Sequence, residues 1–88
     1  MMYLLSYDPY KVDASALHQV IDSSPYIRSW SHYIGSSYLI KSDHSVSHIV
    51  EDINARWPNQ RYLLIKIDPY NYGGLLPRKA WDWIKRKR

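Results

Sequence analysis

Two aspartates follow apolar runs and are each succeeded by the same two residues, which gives Asp8-Pro9-Tyr10 near the start and Asp68-Pro69-Tyr70 near the end. A carboxylate repeated in the same setting could be a repeated functional device. Asp-Pro is also a favoured way to begin a turn after a strand. Two turns with the same local sequence are therefore the simpler interpretation.

The histidines offer weaker candidates. His44 and His48 are four residues apart with Asp43 beside them. Because His44 precedes the predicted start of a helix, the two imidazoles need not share a face, and a structural role is favoured over a metal site. His32 lies on an aromatic strand, where it could contact RNA or act in acid–base chemistry. A partly buried or interface histidine is the commoner role.

Positive charge is concentrated at the end of the chain. The net charge is +4, and residues 1–76 hold six basic and seven acidic residues, so the whole excess lies in residues 77–88. A basic terminal segment can bind nucleic acid. A solvated helix end whose cations complement the helix dipole is the favoured interpretation, because short Lys/Arg tails are common. The basic residues of this segment are Arg78, Lys79, Lys85, Arg86, Lys87 and Arg88.

The aromatic composition favours partly solvated surfaces and interfaces over a dry core. There are nine Tyr and four Trp but no Phe, so every aromatic ring carries a polar group, which predicts a dimer interface or a ligand face. The chain has no Cys, which excludes disulfides and thiolate zinc sites. No apolar run approaches the roughly 20 residues that span a membrane. We expect a cytoplasmic protein without membrane contact.

Hydrophobic periodicity predicts four strands and three helices. Asp13 caps the first helix, Ser45 or Asp43 caps the second, and Pro77 opens the third. In the third helix Ala80, Trp81 and Ile84 form the apolar side, with Trp83 at its border. The predicted strands are 2–7, 26–34, 37–41 and 61–67; the C-terminal helix is 77–86 and the basic end is 85–88.

This order predicts one α+β domain over residues 1–88. It is a ferredoxin-like βαββαβ sandwich with a four-stranded antiparallel sheet and an added C-terminal amphipathic helix. The usual strand order of that fold is 4-1-3-2, in which the first and last strands are antiparallel neighbours. Their carboxyl ends then lie far apart, so the two Asp-Pro-Tyr segments do not form one site within a subunit.

In such a fold the two crossover helices cover one face of the sheet. Alternation along the second strand groups Arg28, Trp30 and His32, and we expect this aromatic and cationic set on the open face. Bases could stack there. Burial against a second subunit is favoured, because a large open apolar face is a liability in a monomer.

The segments "YLLSYD" (3–8), "WSHYIGSSYLIKS" (30–42) and "LPRKAWDWI" (76–84) resemble the SinR-like family of small proteins. That family is related to the VapD toxins and to the small ferredoxin-fold nuclease subunit of CRISPR adaptation. The CRISPR relatives usually end in an extra strand that pairs with the partner, whereas residues 77–86 predict a helix. The dimer arrangement therefore does not carry over.

By this resemblance Asp8 would bind a divalent metal such as Mg²⁺ near a dimer axis and would be the catalytic residue of an endoribonuclease. Two copies of Asp8 could together hold the ion, which would activate water against a phosphate. The implied function is nucleic-acid-associated. The alternatives are a non-catalytic homodimeric binding module, as a toxin–antitoxin or defence component, and a structural dimer.

Overall fold

The computed structural model describes residues 1–86; Lys87 and Arg88, predicted as part of the basic end, lie outside the described residues. In residues 1–86 no helix is both long and apolar enough to cross a membrane. The elements are β1 (Met2–Tyr7), α1 (Ala14–Asp22), β2 (Ser29–Ile34), β3 (Ser37–Lys41), α2 (Val46–Arg56), β4 (Tyr62–Lys66) and α3 (Arg78–Lys85).

The four strands form one antiparallel sheet, so the predicted α+β class with a four-stranded antiparallel sheet is confirmed. Read across the sheet, the order is β2-β3-β1-β4. The central strand β1 pairs with β3, where Met2 lies opposite Lys41, and with β4, where Tyr7 lies opposite Tyr62. The register thus defines two ends of the sheet, one at Met2 and one at Tyr7.

One face of the sheet packs against α1 and α2. Alternation along β1 directs Tyr3, Leu5 and Tyr7 to this face, and all three are buried. Burial of such side chains is the main contribution to the stability of a small domain. The core is completed by residues of the other elements and the loops between them: Val12, Leu17, Val20, Ile21, Tyr38, Ile40, Ile49, Ile53, Trp57 and Leu64.

Local signals set the ends of the first two helices. The Asp13 carboxylate accepts hydrogen bonds from the backbone N–H groups of Ser15 (3.0 Å) and Ala16 (3.2 Å). Ser45 rather than Asp43 caps α2. Each cap satisfies N–H groups that have no partner within the helix, which is why these residue types predicted the starts correctly.

Strand β2 begins at Ser29, three residues later than the prediction of 26–34. The backbone N–H of Ile27 donates to the carbonyl of Ser24 at 3.4 Å, so the chain is still in a turn at that point. Ser24 precedes Pro25, and this pair continues the turn beyond the end of α1. Tyr26 and Ile27, which predicted an earlier strand start, therefore lie in this turn.

Helix α3 covers part of the opposite face of the sheet. Its buried residues are Ala80, Trp83 and Ile84. Positions three and four after Ala80 are its neighbours on a helix, so they form one face with it. The prediction exchanged the two tryptophans: Trp83 is buried in this face, whereas Trp81 is half-buried at its border.

Candidate functional site

The two Asp-Pro-Tyr segments form the same turn. Asp8 Oδ1 accepts a hydrogen bond from the backbone N–H of Tyr10 at 2.9 Å, and Asp68 Oδ1 accepts one from that of Tyr70 at the same distance. The Asn71 side chain also donates to Asp68 Oδ2 at 2.7 Å. These bonds are typical of an Asx turn. The tripeptide is a repeated turn, as the simpler interpretation predicted.

The hydrogen bonds to Asp68 affect its ionisation. The pKa of the Asp68 carboxyl is lowered by the backbone N–H of Tyr70 and next by the side chain of Asn71, because both stabilise the charged form. A carboxyl whose pKa is lower in the folded chain contributes stability above its unfolded pKa. That contribution is lost as the pH falls through the folded value.

Asp8→Asn and Asp68→Asn are expected to behave alike in thermal unfolding followed by circular dichroism. An Asn side-chain oxygen can accept the same backbone N–H, so each midpoint should stay within about 4 °C of the parent. The two turns are matched controls for one another. A clearly larger fall for Asp8→Asn alone would contradict the conclusion that Asp8 has the same structural role as Asp68.

Asp8 offers one exposed carboxylate to a metal ion. Within residues 1–86 no three His, Cys, Asp or Glu side chains are grouped closely enough to hold a metal ion. The His44 and His48 rings are 6.0 Å apart. Mg²⁺ is usually held by one or two carboxylates with waters and substrate phosphates. A pair of Asp8 carboxylates therefore needs a second copy of the chain.

The candidate residues do not all converge. Asp8 follows the last residue of β1, whereas Arg28 lies beside Lys41, which is opposite the first residue of β1. The backbone N–H of Arg28 donates to the carbonyl of Lys41 at 2.8 Å. Six strand residues separate the two ends, which corresponds to about 20 Å. The predicted metal ligand and Arg28 thus lie at opposite ends of the sheet.

Trp30 and His32 lie on the helix-covered face, so the prediction that they lie on the open face is wrong. Trp30 is opposite the buried Ile40, and its Nε1 donates to the Asp22 carboxylate of α1 at 3.1 Å. The His32 ring stacks on that of Tyr38 at a centroid distance of 4.0 Å. Arg28 precedes the strand, and its side chain is exposed at the sheet end.

His32 is tied to the core through Tyr7. The Tyr7 hydroxyl donates to the carbonyl of Gly35 at 2.9 Å, and His32 Nε2 is 3.2 Å from the Tyr7 hydroxyl oxygen. A phenol has one proton to donate, so the imidazole donates from Nε2. Burial raises the pKa of the Tyr7 phenol. These contacts assign His32 a structural role at the edge of the core.

Cations that are distant in sequence converge at the Met2 end of the sheet. Arg28 precedes β2, Lys66 ends β4 and Arg86 follows α3; together with Lys41 they line a groove of about 350 Å³. Arg28 pairs with Asp43 at 3.5 Å, and the two side chains are 39% and 70% exposed, so water screens this ion pair and it is weak. We call Arg28, Lys66 and Arg86, all exposed, the basic rim.

Lys41 is buried beneath the basic rim and holds the end of α3. Its ammonium donates to the carbonyl oxygens of Trp83 and of Arg86, the latter at 2.6 Å, and it lies 4.3 Å from the centroid of the Trp83 ring. Burial lowers the pKa of Lys41, and repulsion from Arg86 and then Arg28 lowers it further. The three cations lie around the same groove, so their charges act on one another.

Lys41 was not predicted as a functional residue. It ends the strand "SYLIK", and a lysine at the end of a strand normally extends into solvent. The contacts that bury it join residues 41 and 83, which are 42 positions apart. No local pattern in the sequence carries that information.

The remaining cations of α3 are exposed. Arg78 and Lys79 lie in its first turn and Lys85 in its last. Lys79 and Arg86 line a second groove together with Tyr33 of β2. The structure therefore brings Arg28 and Arg86 together, and Lys79 lies with Arg86 in a groove that Asp82 also lines.

Comparisons with protein-family models, with curated proteins and with solved structures find no match for this chain. The resemblance to the SinR-like family stays a prediction. What can be concluded about function rests on the geometry of the basic rim and its neighbours.

Proposed function

We propose that this protein binds single-stranded nucleic acid through the phosphates, on the basic rim at the Met2 end of the sheet. The observation that carries the proposal is the convergence of Arg28, Lys66 and Arg86 around one groove, above the buried ammonium of Lys41. Arginine forks match phosphate geometry and keep their charge at every physiological pH. Among the described residues, Arg28 forms an ion pair with Asp43.

Aromatic side chains next to the cations favour a nucleic acid over other anions. Tyr72 lines the same groove as the basic rim, and Tyr33 lines the groove that contains Lys79 and Arg86. Single strands are commonly bound by positive grooves with neighbouring aromatic rings on which bases stack. The resemblance of the sequence points to RNA, and the chemistry of the groove suits single-stranded RNA or DNA.

The proposal is tested by titrating the protein into RNA with no divalent metal present. A labelled 20-nucleotide single-stranded RNA is followed by fluorescence anisotropy in EDTA at 0.05 M salt, and saturable binding is expected because phosphate contacts need no metal. The absence of binding under these conditions would reject the proposal. A DNA strand of the same sequence shows whether the 2′-hydroxyl contributes.

Endoribonuclease activity is a further proposal that depends on Asp8. The geometry favours binding over cleavage, since Asp8 is at the far end of the sheet from the basic rim and provides one carboxylate per chain. With Mg²⁺ in place of EDTA, a nuclease would shorten the RNA. Asp8→Asn should abolish that cleavage and Asp68→Asn should leave it intact. If the parent protein leaves the RNA intact in Mg²⁺, the nuclease proposal is rejected and the non-catalytic binding module remains.

The ferredoxin-like topology also belongs to this proposal. The strand order, read as β4-β1-β3-β2, and the packing of α1 and α2 on one face support it. It would place the chain with the SinR-like, VapD and CRISPR-nuclease group, in the role of a toxin–antitoxin or defence component.

A homodimer is proposed from the uncovered part of the open face. Leu63 is 59% exposed and Ile65 is 46% exposed, and both are on the β4 face opposite to the core residue Leu64. Two adjacent apolar positions on an exposed edge strand favour association. Sedimentation at micromolar concentration should give a dimer for the parent and a monomer for Ile65→Lys. A monomeric parent would contradict this proposal and leave the binding proposal intact.

A further inference from the structure

An apolar cavity of about 330 Å³ lies between α3 and the open face of the sheet. Met2, Leu4 and Leu39 of the sheet contribute to it, and Tyr72 and Trp81 line it from the chain that follows β4. Its volume falls within the range of about 300–1,000 Å³ that is usual for ligand sites. We call this space the apolar cavity.

One polar group in the wall of the apolar cavity has no partner. Ser31 is 7% exposed, and its hydroxyl forms no hydrogen bond with any of the residues that the structure describes. A buried hydroxyl without a partner is unfavourable, so such groups usually meet a ligand or water. Ser31 lines both the apolar cavity and the groove with Lys79 and Arg86.

The apolar cavity adjoins the groove of the basic rim. The residues that line both the cavity and the groove of the rim are Met2, Ile67, Tyr72 and Ile84. A ligand that fills both therefore has an apolar or aromatic body joined to an anionic group. The carboxylate of Asp68 also lines the cavity, where Tyr70 and Asn71 already donate to it.

Two aromatic rings in the wall favour a flat body. The Tyr72 and Trp81 rings are nearly parallel, at an interplanar angle of 16° and a centroid distance of 6.5 Å. Aromatic faces prefer stacked or offset contact with another ring system. A nucleobase combines such a face with polar edges that could meet the Ser31 hydroxyl and the Asn71 amide.

We propose that the apolar cavity takes one unstacked base of the strand whose phosphates lie on the basic rim. This inference rests on the proposed function and extends it, because it makes recognition depend on the base as well as on charge. Charge complementarity selects the occupant, since the cavity alone would accept any apolar group and the rim alone any polyanion.

The test compares two labelled strands of equal length and charge, a ten-nucleotide single strand and its abasic deoxyribose-phosphate counterpart. Base stacking predicts that the parent binds the base-containing strand about 5- to 150-fold more tightly. Tyr72→Ala should weaken binding of the base-containing strand more than binding of the abasic strand, so that the preference falls. The matched control is Tyr70→Ala, because Tyr70 is 91% exposed in the same loop and does not line the cavity.

The outcomes separate this inference from the function on which it rests. If the parent binds the two strands with equal affinity, binding of a base in the apolar cavity is overturned, whereas phosphate binding on the basic rim is still supported. Equal effects of Tyr72→Ala and Tyr70→Ala would also overturn it. No binding of either strand would reject phosphate binding and base capture together. A change in the sedimentation of the free protein with Tyr72→Ala would assign the cavity to a contact between copies and overturn the inference.

Discussion

Replacement of Lys41 by Met is expected to lower the free energy of unfolding by about 1–3 kcal/mol. The ammonium donates to two carbonyl oxygens at the end of α3, those of Trp83 and Arg86, and the side chain is only 5% exposed. Met fills a similar volume but donates no hydrogen bond, so both carbonyls lose a partner. The loss should appear as a lower midpoint in urea with an unchanged slope.

The loss of protection should be largest in α3. Hydrogen exchange of the backbone amides is expected to accelerate in α3 beyond what the global loss of stability accounts for, and in α2 by no more than that loss, because the core around Ile49 and Ile53 makes no contact through the Lys41 ammonium. Lys66→Met is the matched control, since Lys66 is exposed. Unchanged exchange in α3 together with unchanged stability would contradict the role assigned to Lys41.

The same lysine predicts a dependence of stability on pH. The pKa of Lys41 in the folded chain is lower than its unfolded value of 10.5. Between these two values the unfolded chain binds more protons, so the contribution of Lys41 to stability rises with pH in that interval. The parent should therefore gain stability relative to Lys41→Met as the pH is raised through the folded pKa towards 10.5.

Neutralisation of the basic rim is expected to weaken single-strand binding about tenfold at 0.15 M salt. The variant is Arg28→Gln with Arg86→Gln. Each phosphate contact on a single strand contributes about 0.7 log units per decade of salt, so two contacts are worth about tenfold at 0.15 M relative to 1 M. Folding should be preserved, because both side chains are exposed and Gln keeps the backbone carbonyl that accepts from Lys41.

A matched control for the double variant lies at the other end of the sheet. Lys11 and Arg61 are also exposed, and they line a small groove at the Tyr7 end. Lys11→Gln with Arg61→Gln removes the same charge from the molecule as a whole. Equal weakening by the two double variants would mean that overall charge, and not the basic rim, drives binding.

The parts of the structure that the sequence predicted are those with local causes. Asp13 and Ser45 cap helices because their side chains reach N–H groups two or three residues away. Both Asp-Pro-Tyr turns close within three residues. Apolar periodicity likewise gave the number and order of the elements, because it depends only on neighbouring positions.

The errors concern relationships between distant segments. Alternation along β2 correctly places Trp30 and His32 on one face of the sheet and Ser31 on the other. It does not say which of the two faces packs against α1. That choice depends on the register with β3, where Trp30 lies opposite Ile40, and on contact with Asp22. Burial of Lys41 likewise depends on α3, so the groove of the basic rim could not be predicted from either segment alone.

The most direct test of phosphate binding at the basic rim is the salt dependence of RNA affinity. The logarithm of the association constant is measured against the logarithm of the salt concentration for the parent, for Arg28→Gln with Arg86→Gln, and for Lys11→Gln with Arg61→Gln. If Arg28 and Arg86 each contact one phosphate, the slope is about 1.4 smaller in magnitude for the rim variant and unchanged for the control. Equal slopes for the parent and the rim variant would contradict phosphate binding at the basic rim.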